Sequence, residues 1–457
     1  MLPKKFEERM MALLGDKYEQ FAAALEEAPV RAFRVNSLKC DGIDSVRDQL
    51  GENKIPYASD GYYLPEECDG IGNTPLHHAG AIYIQDPGAM ASLCALPDPD
   101  ALRGGRVCDL CSAPGGKSGQ AAALIGEGGF ILSNEFVPKR AKILVSNLER
   151  LGVKNAVVTS LDTAEIAKLY RAYFDLVIAD APCSGEGMFR KNGMAISEWS
   201  EENISQCAKR QSYILDNAAG LVRDGGYLLY STCTYAIEEN EMQIDAFLER
   251  HSDFELCPVN ERLIKYTSDG ISFDGAKSEN LAYTRRFYPH MAAGEGQFVA
   301  LLRRRTDDAP EILFQDSSVE LRGEERKITE DFLKENLIST EGGKIIKYGN
   351  NIVLSLHKTP IPKSSIFSAG ILIGEIRGKL LFPSHQLFSA MGKSFKRRLD
   401  IEDEVTAIKY LRGEEIPAKE CSQGFAAVLY RGIALGGGKV SSGMLKNHYP
   451  KGLRVNR

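Results

Sequence analysis

The chain has 457 residues, 43% of them hydrophobic, with 56 Lys+Arg against 62 Asp+Glu for a formal net charge of −6. That length exceeds what one hydrophobic core serves, so several domains are expected, and the composition excludes collagen-like, disulfide-knot and disordered classes. No run of 18 apolar residues is present and no apolar stretch follows the basic start Met1–Glu8; the ten cysteines lie mostly in apolar surroundings, so the expectation is a cytoplasmic protein with reduced thiols, no signal peptide and no membrane span.

The charge is unevenly spread. Residues 371–457 hold 15 Lys+Arg against 8 Asp+Glu, a balance of +7, which leaves −13 for the first 370. A basic end on an acidic body points to one region that handles a polyanion.

In chain order, residues 4–28 carry a helical stripe (Phe6, Met10, Leu13, Leu14, then Tyr18, Phe21, Leu25) that Pro29 ends. Short strands and turns follow, with strands expected at 32–36, 62–64 and 82–84. From about residue 105 strands and helices alternate, which predicts a doubly wound parallel sheet. Its strands are expected at 106–109, 129–134, 156–160, 174–179 and 225–231, with helices at 138–151 and about 203–222 and further strands near 254–257 and 297–302. The expected domains are 1–100, 101–304 and, after a polar linker at 305–327, a small α+β unit at 328–376 and a basic unit at 377–457.

The chemistry concentrates at strand ends. The strand ending at Asp109 runs into Cys111-Ser112-Ala113-Pro114-Gly115-Gly116-Lys117, and a helix follows. Paired glycines let the backbone approach a ligand, and a helix N-terminus offers N–H donors. The phosphate-loop pattern fails because its first glycine falls on Cys111, and the dinucleotide pattern is absent, which disfavours a nucleotide hydrolase. Acids close four consecutive strands: Asp109, Glu135, Asp162 and Asp180. Strand-end acids often serve only as helix caps. Four in register at the carboxyl edge of a sheet suit a cofactor with ribose hydroxyls and a positive centre, S-adenosylmethionine. Cys108 and Cys111 form a CxxC without a second pair, so no metal is expected.

Cys183 follows the strand ending at Asp180, and Cys233 follows the next strand. Both thiols should lie on the cofactor side of the sheet. Cytosine C5 is too weak a nucleophile for direct methylation. Addition of a thiolate at C6 makes C5 reactive, and a carboxylic acid beside the ring, the role available to Asp180, supports the developing charge.

The segments Asp109–Lys117, Asp180–Arg190 and Ser231–Tyr235 resemble the motif set of the RNA 5-methylcytosine methyltransferases, the NOL1/NOP2/Sun family. Arg34–Lys39 and Tyr83–Pro87 resemble its N-terminal motifs, and Arg286–His290 with Gly294–Phe298 resembles the motif that closes its catalytic domain. Gly438–Val440 and Leu445–Arg454 resemble the PUA-type tail of its bacterial members that act on small-subunit rRNA. The resemblance implies a Rossmann-like S-adenosylmethionine methyltransferase core with a mostly parallel seven-stranded sheet, a small N-terminal RNA-binding region and β-rich C-terminal domains. It implies Cys233 as nucleophile, Cys183 in product release and Asp180 at the base. Residues Cys111 to Lys117 would wrap the methionine end of the cofactor, Glu135 would hold the ribose and Asp162 the adenine edge, with Arg140 and Asp180 completing the set. RNA would be met by Arg34, Asn36 and Lys39 and by a C-terminal surface of Lys439, Lys446, His448, Lys451 and Arg454, with Arg457 beyond it. Small-subunit (16S) rRNA is the expected partner, acted on by a monomer. A tRNA substrate, or a non-catalytic RNA-binding assembly factor on the same scaffold, remain the alternatives.

Overall fold

The computed structural model describes residues 2–455, so Arg457 lies outside the described residues. Residues 4–28 fold as two helices rather than one run, α1 (Lys4–Leu14) and α2 (Tyr18–Glu26). The break falls at Gly15, whose φ of 52° lies in the left-handed region that glycine enters without strain. Phe6 and Phe21 on these helices pack edge-on against Phe189 and Tyr235, with ring centroids 4.9 and 5.2 Å apart. The N-terminal helices therefore brace the two segments that carry the candidate thiols.

A three-stranded antiparallel sheet follows, ordered β2 (Gly61–Tyr63), β1 (Ala32–Val35), β3 (Ile82–Ile84). Asp86 then caps α3 (Pro87–Cys94) by accepting from Gly88 N at 2.8 Å.

The central sheet is built around five parallel strands: β4 (Arg106–Asp109), β5 (Phe130–Asn134), β6 (Ala156–Thr159), β7 (Phe174–Asp180) and β8 (Val222–Thr232). Their order is β6-β5-β4-β7-β8. The helices α4 (Gly116–Ile125), α5 (Pro138–Arg150), α6 (Thr163–Leu169) and α7 (Glu201–Ala219) lie between them in sequence. Cys108, Leu132, Val157 and Val177 enter one apolar cluster and Val107, Ile131, Val158 and Ile178 another, as expected for strands buried on both faces. The chain goes out from β4 to β5 and β6, then returns to the other side of β4 with β7. Crevices open at the carboxyl ends of strands where the winding reverses, here between β4 and β7.

The sheet has ten strands rather than the expected seven. Antiparallel β9 (Phe254–Cys257), β10 (Ser268–Asp269), β11 (Arg285–Phe287) and β12 (Gln297–Arg304) extend the β8 edge. Residues 305–327 carry two short strands, Glu311–Ile312 and β13 (Val319–Glu320), and the start of α8 (Gly323–Asn336). Then β14 (Lys344–Tyr348) and β15 (Asn351–Ser355) form a hairpin, and β16 (Ile366–Ala369) leaves it to close the central sheet antiparallel to β6, with Ser368 opposite Val158. The strands β17 (Ile371–Arg377) and β18 (Leu380–Pro383) return to a five-stranded sheet with β13, β14 and β15, and α9 (His385–Met391) follows.

The last sheet runs β19 (Arg398–Ile401), β21 (Gly424–Tyr430), β22 (Ile433–Ser441), β23 (Met444–Asn447), β20 (Ile416–Pro417). Its apolar face does not close on itself. Phe33, Val35, Leu76 and Ile82 from the first hundred residues share one buried cluster with Ile401, Tyr410, Val428 and Leu435. Tyr449 Oη lies 2.7 Å from His78 Nδ1, and Gln49 Nε2 donates to Tyr430 Oη at 2.9 Å. No helix among the described residues is long and apolar enough to cross a membrane.

Candidate active site

The β4–α4 turn supplies one wall of the crevice. Asp109 at the end of β4 is fully buried and accepts from Ser118 Oγ at 2.6 Å, while its Oδ1 has no hydrogen-bond partner. Burial pushes its carboxyl up to about 7. Ser112 Oγ donates to Asp109 O at 2.8 Å and ties the turn back to the strand. Gly115 adopts φ 113°, and a Cβ at Gly116 would lie 3.1 Å from the Tyr83 ring. Both positions thus require glycine or come close to it.

The opposite wall was not assigned to the cofactor from sequence. Tyr83, Ile84, Gln85 and Asp86, from the N-terminal sheet and the loop after it, face Asp109, Cys111–Pro114, Gly116, Lys117 and Asp180 across a cleft of about 210 Å³. The signal was present, because Tyr83–Pro87 stands out as a motif, but spacing alone does not bring it to this turn.

The remaining strand-end acids divide by environment. Glu135, at the end of β5, is buried; its Oε1 accepts from Val137 N at 3.0 Å and its Oε2 lies 3.4 Å from Arg140 Nη1. Arg140 also donates to Ala113 O at 2.8 Å, so it bridges the turn and the β5 end. Asp162 is the N-cap of α6 in a capping box, and its Oδ1 accepts from Ala164 N at 2.9 Å and from Tyr213 Oη at 2.7 Å. Phe136, directly after Glu135, is an exposed aromatic that the sequence reading passed over.

Asp180 ends β7 beside the glycine turn. Its Oδ2 pairs with Lys117 Nζ at 2.8 Å and its Oδ1 accepts from Ser231 Oγ at 2.7 Å. Parallel pairing sets Asp180 opposite Ser231, which carries the two cysteine loops off neighbouring strand ends. Cys183 Sγ and Cys233 Sγ are 3.2 Å apart, both half-buried. The contact with Cys233, then burial, pushes the Cys183 thiol well above its ordinary value, so Cys183 stays protonated at neutral pH and can donate to the Cys233 sulfur.

The loops are locked from below. Gly187 N donates to Cys233 O at 2.9 Å and Gly296 N to Gly187 O at 3.3 Å. Glu186, buried, accepts from Thr234 Oγ1, Tyr235 N and Trp199 Nε1 at 2.8–2.9 Å. Arg190 reaches Glu295, Ala24 O and Gly294 O at 2.8–3.0 Å and joins the cysteine loop to α2 and the loop before β12.

Three expected RNA contacts lie inside the protein. Arg34 has no exposed surface and points to Gln85 and Asp60, each at 3.4 Å. Asn36 Nδ2 donates to Gly80 O and Leu151 O at 2.8 Å. Lys39 is buried, with Nζ donating to Ser389 O at 2.6 Å and Ala434 O at 2.9 Å. The side chains of Asn36 and Lys39 are committed to packing between segments, and Arg34 is enclosed with its Nη2 unpartnered, so none offers a surface to RNA. The C-terminal set differs. Lys439, Lys446, His448 and Lys451 are exposed, while Arg454 is half-buried against Tyr449 O. Lys439 and Lys446 sit opposite each other on β22 and β23, Lys439 Nζ lies 5.5 Å from the Phe425 ring centre, and His448 packs 5.9 Å from the same ring. No cluster of three or more metal-type ligands occurs among the described residues.

Comparison with known proteins agrees along the whole length. Residues 100–303 match the family described as 16S rRNA methyltransferase RsmB/F, residues 2–87 the N-terminal domain of 16S rRNA methyltransferase RsmF, and residues 396–455 the methyltransferase RsmF PUA domain. A ribosomal RNA small subunit methyltransferase F of Psychromonas ingrahamii is 30% identical, over 99% of this chain and 97% of its own. Its counterpart in Aeromonas salmonicida is 28% identical over the same shares. Among solved structures, a methyltransferase homolog from Pyrococcus horikoshii is 31% identical with a TM-score of 0.57, covering 66% of this chain and 95% of that one.

Proposed function

The chain belongs to the RsmB/F family of 16S rRNA methyltransferases, and on that premise we propose that it methylates C5 of a cytosine in small-subunit rRNA with S-adenosylmethionine, through a bond between Cys233 and C6 of the base. The observation that carries this reading is the pair of thiols 3.2 Å apart on neighbouring strand ends, next to Asp180.

The crevice residues fit the cofactor. Asp109 Oδ1 is a buried acceptor without a donor, Glu135 keeps lone pairs free for ribose hydroxyls, and Gly116 lines the cleft at the start of α4. Residues Cys111 to Lys117 would hold the methionine end, Glu135 the ribose and Asp162, partly committed to capping α6, the adenine edge. Phe136 offers a stacking face beside them. When bound, S-adenosylmethionine supplies an electrophilic methyl group on a sulfonium.

The reacting thiolate is Cys233, whose sulfur the neighbouring Cys183 thiol steadies as a donor. Sulfur bonds to C6 and the electron pair of the 5,6 double bond becomes available at C5. Asp180, held by Lys117 and Ser231, would bond the polar edge of the base as charge develops. After methyl transfer the C5 proton passes to Cys183 as its own thiol proton moves to the Cys233 sulfur, the double bond re-forms and the Cys233–C6 bond breaks. Cys183 serves that last step. The exposed Lys439, Lys446, His448 and Lys451 surface tracks RNA phosphates, with Phe425 as a stacking partner.

The test offers labelled S-adenosylmethionine with naked small-subunit rRNA, assembled small subunits and tRNA in parallel, and maps 5-methylcytosine in the digests. Label at one rRNA cytosine that disappears with Cys233→Ala is the expected result. Label only in tRNA overturns the substrate. Cofactor binding without 5-methylcytosine in any arm overturns the chemistry and favours the assembly-factor alternative.

A further inference from the structure

We propose that Glu239 is the positioning residue of the release step: it holds the Pro182–Ser184 segment so that Cys183 can act on the RNA adduct. The inference rests on the assignment of Cys233 as nucleophile and Cys183 as the residue of release.

Glu239 is fully buried, with no basic side chain in ion-pair range among the described residues. A buried carboxylate without a counter-ion is costly unless hydrogen bonds satisfy it. Its donors belong to one small region. Oε2 accepts from Ser184 N at 3.0 Å and from Gln211 Nε2 at 2.8 Å, and Oε1 accepts from Ser184 Oγ. Gln211 Nε2 also donates to Pro182 O at 3.0 Å, so Glu239 grips the residues on both sides of Cys183.

The last ladder bond of this strand end is Ala181 N to Ser231 O at 2.9 Å. Beyond it, the polar contacts of Pro182 and Ser184 run to Gln211, Glu239 and Thr234 Oγ1. Glu239 itself is fixed by its backbone, whose carbonyl accepts from Tyr230 Oη at 2.6 Å.

A second buried carboxylate serves mainly the other loop, the two being joined through the Ser184 Oγ–Thr234 Oγ1 contact at 2.8 Å. Glu186 accepts from Thr234 Oγ1 and Tyr235 N, the two residues that follow Cys233. One acid therefore anchors the loop of the nucleophile and the other the loop of Cys183. Release needs Cys183 near the adduct: its thiol proton passes to the departing Cys233 sulfur 3.2 Å away, the Cys183 sulfur takes the C5 proton, and the C5–H electron pair restores the 5,6 double bond as the S–C6 bond breaks. Loosening only the Cys183 loop should leave bond formation intact and slow this last step.

The experiment compares wild type, Glu239→Ala, Glu239→Gln, Gln211→Ala and Cys183→Ala, each incubated with small-subunit rRNA and S-adenosylmethionine. The readouts are RNA–protein adduct surviving denaturation, released 5-methylcytosine and cofactor binding. Glu239→Ala is expected to raise the adduct about tenfold while turnover falls and cofactor binding is unchanged. Glu239→Gln keeps an acceptor for Ser184 and should return towards wild type. Gln211→Ala, which loses the Pro182 contact but keeps the carboxylate, should show a smaller rise and covers the case in which Glu239→Ala does not fold. Adduct in Cys183→Ala with none in either Glu239→Ala or Gln211→Ala overturns the role of Glu239. Absence of adduct in Cys183→Ala itself overturns the underlying assignment of the thiols.

Discussion

Cys183 and Cys233 stand fifty positions apart in sequence and 3.2 Å apart in space, sulfur to sulfur. The parallel pairing of β7 and β8 accounts for this, because it sets Asp180 opposite Ser231 and both loops leave from that rung. Neither thiol touches the Lys117–Asp180 pair through a hydrogen bond, so the two halves of the site can be separated by mutation. Cys233→Ala should abolish methyl transfer and leave cofactor affinity within about twofold, since no cofactor contact is removed. Labelled-cofactor binding alongside single-turnover methylation checks both.

Gly187 approaches Gly296 so closely that a Cβ would lie 2.6 Å from its carbonyl oxygen, a backbone atom that cannot swing away. Gly187→Ala should therefore cost about 1–3 kcal/mol of stability and shift the Cys233 carbonyl that Gly187 N holds. Denaturant unfolding measures the first effect. A fall in kcat larger than the rise in KM registers the second.

Lys117→Met removes the cation 2.8 Å from Asp180 and leaves Ser231 Oγ as the remaining donor to that carboxylate. The expected loss in kcat is on the order of 10²-fold, the scale of one lost stabilising group at a reacting centre. Steady-state kinetics with saturating RNA gives the number.

Burial, followed by repulsion from Lys393, Lys154 and Arg150, lowers the Lys39 ammonium to about 7. The sign follows from linkage. Between about pH 7 and its ordinary value of 10.5, Lys39 binds a proton in the unfolded chain but not in the folded one. Its contribution to stability therefore rises with pH across that window and is flat below it. The stability of wild type relative to Lys39→Met should grow by about 2 kcal/mol between pH 7 and 9. Denaturant melts of both proteins at three pH values test this; a difference that stays constant, or shrinks, refutes it.

Lys439 and Lys446 face each other across a strand pair, where like charges repel. A polyanion relieves that repulsion. Lys439→Ala and Lys446→Ala should each reduce the slope of log affinity against log salt for RNA by about one, without altering cofactor binding. Filter binding over a salt series reads the slope.

Much of the central sheet was legible, because strands buried on both faces spell mostly apolar runs: Phe130–Asn134 and Ala156–Thr159 fall where the residue pattern puts them. The crevice was legible as well, since acids and cysteines at successive strand ends must share one edge of a parallel sheet. Contacts between distant segments were not. Arg34, Asn36 and Lys39 carry the residue types of an RNA surface, and nothing in their spacing tells that carbonyls from residues 80, 151, 389 and 434 will enclose the last two. For the same reason β16 gave no sign that it would leave its own hairpin region and close the far edge of the central sheet. Phe136 and Glu239 were missed because exposure and hydrogen-bond convergence are properties of the folded chain.

The apolar cluster shared by Phe33, Val35 and Ile82 with Ile401, Val428 and Leu435 also sets an order of events during synthesis. The ribosome delivers the first half of that interior more than 300 residues before the second. At about 5–20 residues per second, the early half waits roughly 15–60 s with its greasy side uncovered. The opening segment of this protein is thus finished only by its closing one, and a chain stopped short of its last strands would leave both its beginning and its end unsealed.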